Sequence, residues 1–411
     1  MSEMRDVVVI GGGPAGLACA VALFRLGVKD VLLLEREPQL GGILRQCIHD
    51  GFGLGRFHQA LSGPEYAQRF IDQMVSLGVP YETDATVTEV TPERLVTFAS
   101  PSGIRKIQAR TVVFAMGCRE RTRGALAIPG ERPSGVYTAG TAQAYVNLYN
   151  RMVGKDVVIL GSGDIGLIMA RRLTLEGAHV KAVYEILPHP SGLKRNIHQC
   201  LDDYGIPLYL SRTVTDIHGA SRLTGVTVSK VDERLQPIAG TEEEVSCDTL
   251  ILSVGLIPET ELEQDAGIPL DPHTKGAVVD EHLESRTPGF FSCGNVLHVH
   301  DLVDNVSDEA ERTAQSVKRF LEGTLEQGMI PVTGGEGVSV VVPQMISGRD
   351  PVTFSLRVRK EMGPCTLSVR QQGKAVFSKA LPKALPAEMV VATVPPGVFA
   401  PVGDVEVMVS C

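Results

Sequence analysis

The sequence predicts an α/β fold in which one βαβ unit is inserted into another, followed by a small antiparallel β domain. Three observations predict it. A strand, glycine turn, helix and second strand ending in an acid occur in that order twice, over residues 6–35 and 156–185. Three more apolar strands, 111–118, 248–258 and 287–295, carry the chain onward after each unit. Beyond Gly337 the pattern changes to short alternating strands split by proline and glycine.

In the first unit, Val7 to Ile10 form an uninterrupted β-branched run, as in a strand covered on both faces of a parallel sheet. Gly11, Gly13 and Gly16 follow at G-x-G-x-x-G spacing. The next stretch, GLACAVALFRLG, is small and apolar nearly all round, which suits a helix pressed on a sheet, and Gly27 stands at its C-cap. VLLLE then forms a second strand ending at Glu35. Gly11 permits the tight turn, Gly13 clears the approach of a pyrophosphate, and Gly16 lets helix and sheet meet. Phosphates meet the unpaired N–H groups at the helix start. Glu35, 24 residues after Gly11, accepts from a ribose diol.

The second unit repeats this spacing. DVVILGSGDIG provides Gly161, Gly163 and Gly166, the helix ends at Gly177, and HVKAVYE ends at Glu185, again 24 residues after the first glycine. One such motif is weak evidence, but two complete units define two Rossmann-like dinucleotide-binding domains. Two dinucleotides in one chain suggest FAD with a nicotinamide nucleotide, because a flavin accepts hydride directly.

Composition narrows the remaining classes. A chain of 411 residues holds two to four domains at ~100–200 residues each. Net charge is −9 and there is no tryptophan, so neither a polyanion-binding surface nor base-stacking platforms are expected, and nucleic acid is not a partner. The basic clusters RERTR (119–123) and LKRN (193–196) read as solvated or anion-contacting side chains. No apolar run approaches the ~20 residues of a membrane span, and no leader pattern opens the chain. Eight cysteines include no C-x-x-C and no zinc spacing, so the expectation is a cytoplasmic protein with reduced thiols and no metal site.

The order of unit one, returning strand, whole unit two and two more strands resembles the two-dinucleotide-domain flavoproteins, the pyridine nucleotide–disulfide oxidoreductase superfamily, over roughly residues 5–325. The resemblance implies an FAD domain from 1–118 and 250–330 and an NAD(P) domain from 119–249. It implies that Gly11, Gly13, Pro14, Gly16, Glu35 and Arg36 hold the ADP half of FAD. Gly41, Gly42, Gly117 and Gly294 would line the flavin, and the backbone at Val87 would pair with adenine. Gly161, Gly163, Asp164, Ile165, Gly166, Glu185 and Gly255 would hold NAD(H). NAD(H) is favoured over NADP(H), because the Glu185 carboxylate repels a 2′-phosphate. Members usually end the third strand in Gly-Asp. Here it ends in Gly294–Asn295, whose amide still donates or accepts to a ribitol hydroxyl.

The stretch GGILRQCIHDGFG (41–53) lacks the second cysteine of a redox disulfide: Phe52 stands five residues after Cys47. Three readings of Cys47 stay open: a packed thiol, a side chain lining a flavin face with His49, or a lone redox cysteine like that of NADH peroxidases. This stretch, with GPEYAQRF and AMGCRERTRGALAIPGERPSGVYTAGTAQ, resembles a narrower group related to the flavin subunit of anaerobic glycerol-3-phosphate dehydrogenase, to which flavin subunits of hydrogen cyanide synthase and opine oxidases also belong. That resemblance implies electron transfer between a nicotinamide and a partner flavoprotein or iron–sulfur subunit. The alternatives are a stand-alone NADH oxidase or peroxidase using Cys47 and a flavin-bound sensing or assembly subunit.

After Asn295 the sequence predicts a loop bearing His298, His300, Asp301 and Asp304, then a helix capped by Ser307 or Asp308. Gly334, Gly335 and Gly337 read as a linker, and residues 336–411 as a β module for docking to a partner or to a second copy of the chain.

Overall fold

The structure, a computed structural model, describes residues 3–411. The chain divides into two compact units, one built from residues 1–118 and 258–411 and the other from Arg119–Ile257. The expected nicotinamide domain, 119–249, lies within the second of these units.

In the first unit the central strand Glu3–Ile10 lies between Val31–Leu34 and Gly103–Phe114, parallel to both, with Val7 opposite Val31 and Thr111. Tyr81–Glu82 extends the sheet beyond Val31–Leu34, and Phe290–Ser292 pairs in parallel with Gly103–Phe114. Leu95–Ser100 and Thr86–Val90 add an antiparallel ribbon, and Val87 lies in the outer strand, opposite Phe98. Val7, Val8 and Val9 are fully buried because helices cover one face and the 262–297 segment the other. Helix Pro14–Arg25 meets helix Val303–Leu321 through small side chains, Ala18 and Cys19 with Ala310 and Ala314, all within one core.

The second unit repeats the architecture. Its parallel sheet runs Val136–Thr138, Thr249–Leu252, Asp156–Leu160, His179–Tyr184, Leu208–Tyr209, and a three-stranded antiparallel sheet over 212–246 completes it. Thr249–Leu252 therefore belongs to this sheet, with Leu250 opposite Val158, and not to an FAD domain resuming at residue 250. The run TLIL is buried on both faces, and such a run reads the same whichever parallel sheet receives it.

Two further expectations change. The long helix begins at Val303 with Leu302 as its cap, not at Ser307. Ser307 is buried inside it, its hydroxyl 2.8 Å from that of Tyr66, and the first-turn acid Asp304 accepts the backbone N–H groups of Gly55 and Arg56 instead. Gly334 to Gly337 is also no flexible linker. Gly334 ends strand Ile330–Gly334, and Gly337 has φ +75° where any Cβ would strike the Val409 carbonyl. The terminal module starts at Ile330. Its two sheets enclose a core of Phe354, Leu356, Leu367 and Val407; the pairings are antiparallel except between Ile330–Gly334 and Val405–Ser410. Val342 enters the core of the first domain, and Val279 O accepts the N–H groups of Gln344 and Met345.

Glu263, on helix Glu261–Asp265, is fully buried against strand Phe290–Ser292 and accepts the Ser292 hydroxyl at 2.5 Å, while its Oε2 has no partner. Burial pushes its carboxyl up to about 8, and the serine bond opposes this only in part. A folded-state value above the unfolded one contributes stability that is complete below about pH 4.5 and lost as pH rises through about 8. Glu263→Gln, which stays neutral, is expected to flatten the fall in melting temperature across that window; parallel pH series of thermal melts check this.

Candidate functional site

The first strand stops at Ile10 because Gly11 turns left-handed, at φ +108°. Its N–H donates to Leu34 O at 2.8 Å, and a Cβ here would lie 2.5 Å from Ala115 O. No residue but glycine closes this turn. Gly13 then caps helix Pro14–Arg25 with no side-chain partner for the first N–H groups. The one atom near its absent Cβ is Gly42 Cα at 3.9 Å, so the helix start faces open space. Gly41 N–H donates to Gly12 O at 2.8 Å and lays the Gly41–Gly42 turn beside Gly13. Gly294 adjoins the same helix start, where its Cβ would meet Ala15 Cβ at 2.8 Å. The ends of three parallel strands thus bring Gly11, Gly13, Gly16, Gly41, Gly42 and Gly294 together at a strand-order crevice.

Glu35 is 5% exposed. Its Oε2 accepts Gly12 N–H at 2.6 Å and its Oε1 accepts Glu37 N–H at 2.8 Å, so the carboxylate is fixed beside the turn with a lone pair left on each oxygen. Glu35 N–H donates to Glu82 O and Ala85 N–H to Glu35 O, which ties the chain leading to Val87 to the same edge. Arg36 is exposed just beyond, and Gly117, at φ +72°, has open space on its Cβ side. Asn295 turns inward. Its Oδ1 accepts His300 N–H at 3.0 Å and its Nδ2 donates to Cys118 Sγ at 3.7 Å. The uncapped helix start, the cleared space at Gly13 and the fixed acid fit the ADP half of FAD.

In the second unit Gly161, at φ +96°, turns against the Ser253 carbonyl, and Gly163 caps helix Asp164–Leu175 with no side-chain partner. Ile165 is half-buried in the first turn, Gly166 N–H donates to Ser253 Oγ at 3.1 Å, and Gly255 turns left-handed at φ +102°. Glu185 is 4% exposed and takes four donors: Ser162 N–H, Ser162 Oγ, Ser191 Oγ and Leu187 N–H, at 2.6–3.0 Å. Asp164 Oδ1 accepts Leu193 N–H and Asn196 Nδ2. Segment 191–196 is thereby laid over the glycine turn. Sequence reasoning missed Ser162, Ser191 and Ser253. The first had a signal, as the residue between two motif glycines; Ser191 sat in a stretch legible only as basic and polar.

Cys47 and His49 have other surroundings. Cys47 follows the short turn Gly42–Gln46, its carbonyl accepts Gly63 N–H at 2.8 Å, and its thiol lies 3.4 Å from Ile43 O. The His49 ring tilts against Phe52 at 5.0 Å. All eight cysteines are outside disulfides. Burial pushes the Cys47 thiol up to about 12, which weighs against a reactive thiolate there.

Sequence reasoning also missed Glu309, a buried acid on helix Val303–Leu321. Burial alone would raise it. His298 and His300 outweigh that and hold it well below the usual carboxylate range.

Two glycine cradles, each with a buried acid after its second strand, define a two-dinucleotide-domain oxidoreductase. Residues 5–315 match the family described as pyridine nucleotide-disulphide oxidoreductase, and the chain belongs to it. That family is one of flavin-dependent NAD(P)H oxidoreductases. The chain is similar to mitochondrial dihydrolipoyl dehydrogenase of Caenorhabditis elegans, 27% identical over 347 residues, 75% of this chain and 66% of that protein. It is likewise similar to hydrogen cyanide synthase subunit HcnB of Pseudomonas protegens, 27% identical over 284 residues, 64% of this chain and 58% of that protein. The chain therefore spans slightly less than two thirds of these relatives' lengths. The crystal structure of T. acidophilum thioredoxin reductase shares the fold, with a TM-score of 0.64 and 22% identity over 79% of this chain and all of that one. Among the described residues no helix is long and apolar enough to cross a membrane.

Two outcomes follow. Gly13 has φ −79°, which any residue adopts, and a Cβ there meets nothing closer than 3.9 Å. Gly13→Val is therefore expected to leave the urea midpoint of the flavin-free protein unchanged while the purified variant loses its flavin absorbance. Cys47 alkylation by iodoacetamide is expected to keep accelerating above about pH 10, where an ordinary thiol has levelled off; mass spectrometry of the peptide across a pH series reads this directly.

Proposed function

We propose that the chain passes electrons between NAD(H) and a partner flavoprotein or iron–sulfur subunit, as one component of a multi-subunit oxidoreductase of the glycerol-3-phosphate dehydrogenase type. The observation that carries this reading is the presence of two acid-anchored cradles in a chain whose cysteines form no disulfide. Both dinucleotides are provided for, and neither half of the chain carries a disulfide to take the electrons onward. The similarity to a protein named as a subunit of hydrogen cyanide synthase supports a further component as acceptor or donor.

Gly11, Gly13, Pro14, Gly16 and Glu35 would bind the ADP half of FAD, with Gly41, Gly42, Gly117, Gly294 and Asn295 beside the rest, Val87 at the adenine and Arg36 at the rim. FAD, when bound, supplies a two-electron carrier able to exchange hydride with a nicotinamide. Gly161, Gly163, Asp164, Ile165, Gly166 and Gly255 would bind the nicotinamide nucleotide at an open helix start. Glu185 selects NAD(H), because four donors fix its carboxylate at the position a 2′-phosphate would need. Hydride transfer needs no acid or base from the protein, so positioning carries the rate. The terminal β module is assigned to docking the partner.

Anaerobic titration of the flavin-loaded protein tests this. One equivalent of NADH is expected to bleach the flavin absorbance, with NADPH weaker and turnover with dioxygen slow until the partner is added. Glu185→Ala is expected to narrow the preference for NADH over NADPH by about tenfold or more, an electrostatic term of about 1.4 kcal/mol. A flavin untouched by either nucleotide would remove the electron-transfer reading and leave a sensing or assembly subunit.

A further inference from the structure

Behind Gly294 and Asn295, to whose main-chain N–H and side-chain amide they are bonded, three side chains converge that are not themselves assigned to either cradle. His298 and His300 lie on the loop after Gly294–Val296, and Glu309 lies in the second turn of helix Val303–Leu321. Each offers one ligand atom, and these atoms lie within 4.8 Å of one another. The three side chains are 2–3% exposed. His298 Nε2 is 2.8 Å from Glu309 Oε2, and His300 Nε2 is 3.5 Å from the same oxygen.

Glu309 and His300 are oriented from outside the cluster, whereas His298 Nδ1 is buried without a hydrogen-bond partner. Glu309 Oε1 accepts Gly294 N–H at 2.8 Å, which turns Oε2 toward the imidazoles. His300 Nδ1 lies 3.0 Å from the His298 carbonyl and donates to it, which turns Nε2 toward Glu309. The His300 main-chain N–H is held by Asn295 Oδ1 at 3.0 Å. A ring nitrogen bonded to a carbonyl so that the other nitrogen faces a carboxylate is the outer-shell pattern of a metal-ligating histidine. His300 Nε2 and Glu309 Oε2 thus face each other 3.5 Å apart in a buried site, placed to share a cation. Four-coordinate zinc with bonds of about 2.0–2.2 Å sets its ligand atoms roughly 3.4 Å apart, close to the His300–Glu309 separation. Arg312 approaches the same oxygen only to 4.0 Å and is 38% exposed, so it does not fill the cluster.

We propose that His298, His300 and Glu309 bind a divalent transition-metal ion of the zinc class, leaving one position for water or a substrate oxygen. Two imidazoles and a carboxylate suit zinc or ferrous iron over calcium or magnesium. Three protein ligands with an open fourth position make a Lewis-acid site, whereas a closed structural site has four. His298 needs only to move off its 2.8 Å contact with Glu309 to admit the ion.

The test uses the full-length flavin-loaded protein, stripped with a chelator and titrated with zinc chloride against a chromophoric competitor. Wild type is expected to retain one zinc per chain after dialysis. His300→Asn keeps a donor for the His298 carbonyl but removes the ligand nitrogen; it is expected to weaken zinc binding more than about tenfold while flavin content and melting temperature stay at wild-type values. His300→Cys restores a ligand atom and is expected to recover binding. Wild type that holds no more zinc than His300→Asn would overturn the proposal and leave a protonated histidine pair on Glu309. Tight zinc binding equal in both proteins would place the metal elsewhere and overturn it equally.

Discussion

The contact on which this architecture depends is the approach of Gly11 to the carbonyl of Ala115. Three strands end there at one level: Gly11 N–H is bonded to Leu34 O, and Ala115 N–H to Ile10 O. The chain must turn from strand to helix within this junction, and a side chain at Gly11 would drive strand Gly103–Phe114 away. The same constraint recurs at Gly161 against Ser253, whose N–H is bonded to Leu160 O. The turn is a packing requirement first. Its chemical consequence is a helix start with unpaired N–H groups and no side chain in front of them, which favours an anion at both places.

The two cradles then differ in how their acids are held. Glu35 is fixed by backbone donors alone, which leaves its outer lone pairs to a ligand. Glu185 also takes the hydroxyls of Ser162 and Ser191, and Ser191 N–H donates to Ser162 Oγ at 2.9 Å. Ser191 thus stands where a sugar hydroxyl would donate. A nucleotide hydroxyl exchanges one neutral donor for another at Glu185, whereas a phosphate replaces a donor with an anion and loses the bond altogether. On the proposed assignment of NAD(H) to this cradle, the segment over the second turn would sharpen the discrimination that the carboxylate begins. The first cradle has no such segment, which suits a cofactor that stays bound.

The sequence made the glycines, the acids and the strands legible because each answers a local demand: positive φ, close backbone approach, or burial on both faces. It misplaced what depends on neighbours distant in the chain. Thr249–Leu252 is apolar throughout, and only its pairing with Asp156–Leu160 assigns it to the second sheet. Ser307 has the residue type of a cap, yet Tyr66, 241 residues away, takes it as a buried partner, and the helix starts a turn earlier. Gly337 was indistinguishable from a flexible joint until strand Val405–Ser410 was seen against it. Glu309 reads as a polar helix residue, and its burial follows from two histidines nine and eleven positions earlier in a loop whose course no periodicity dictates.

The thiols complete the argument about where electrons go. Cys19 and Cys293 are fully buried in the core of the first domain; burial pushes the Cys19 thiol up to about 12 and raises Cys293 well above its ordinary value. Cys247, in the second unit, is likewise pushed up to about 12, again by burial. With Cys47 raised to about 12 as well, these four are held as packed, protonated side chains. In a family whose fold is shared with thioredoxin reductase, this chain carries at these four positions cysteines that act as small hydrophobes. Relay through a thiolate is disfavoured at each of them, so a reducing equivalent gained from a nicotinamide is better passed to an acceptor outside the chain. That argument covers these four thiols, and it is in keeping with the proposed transfer to a partner rather than to an internal disulfide.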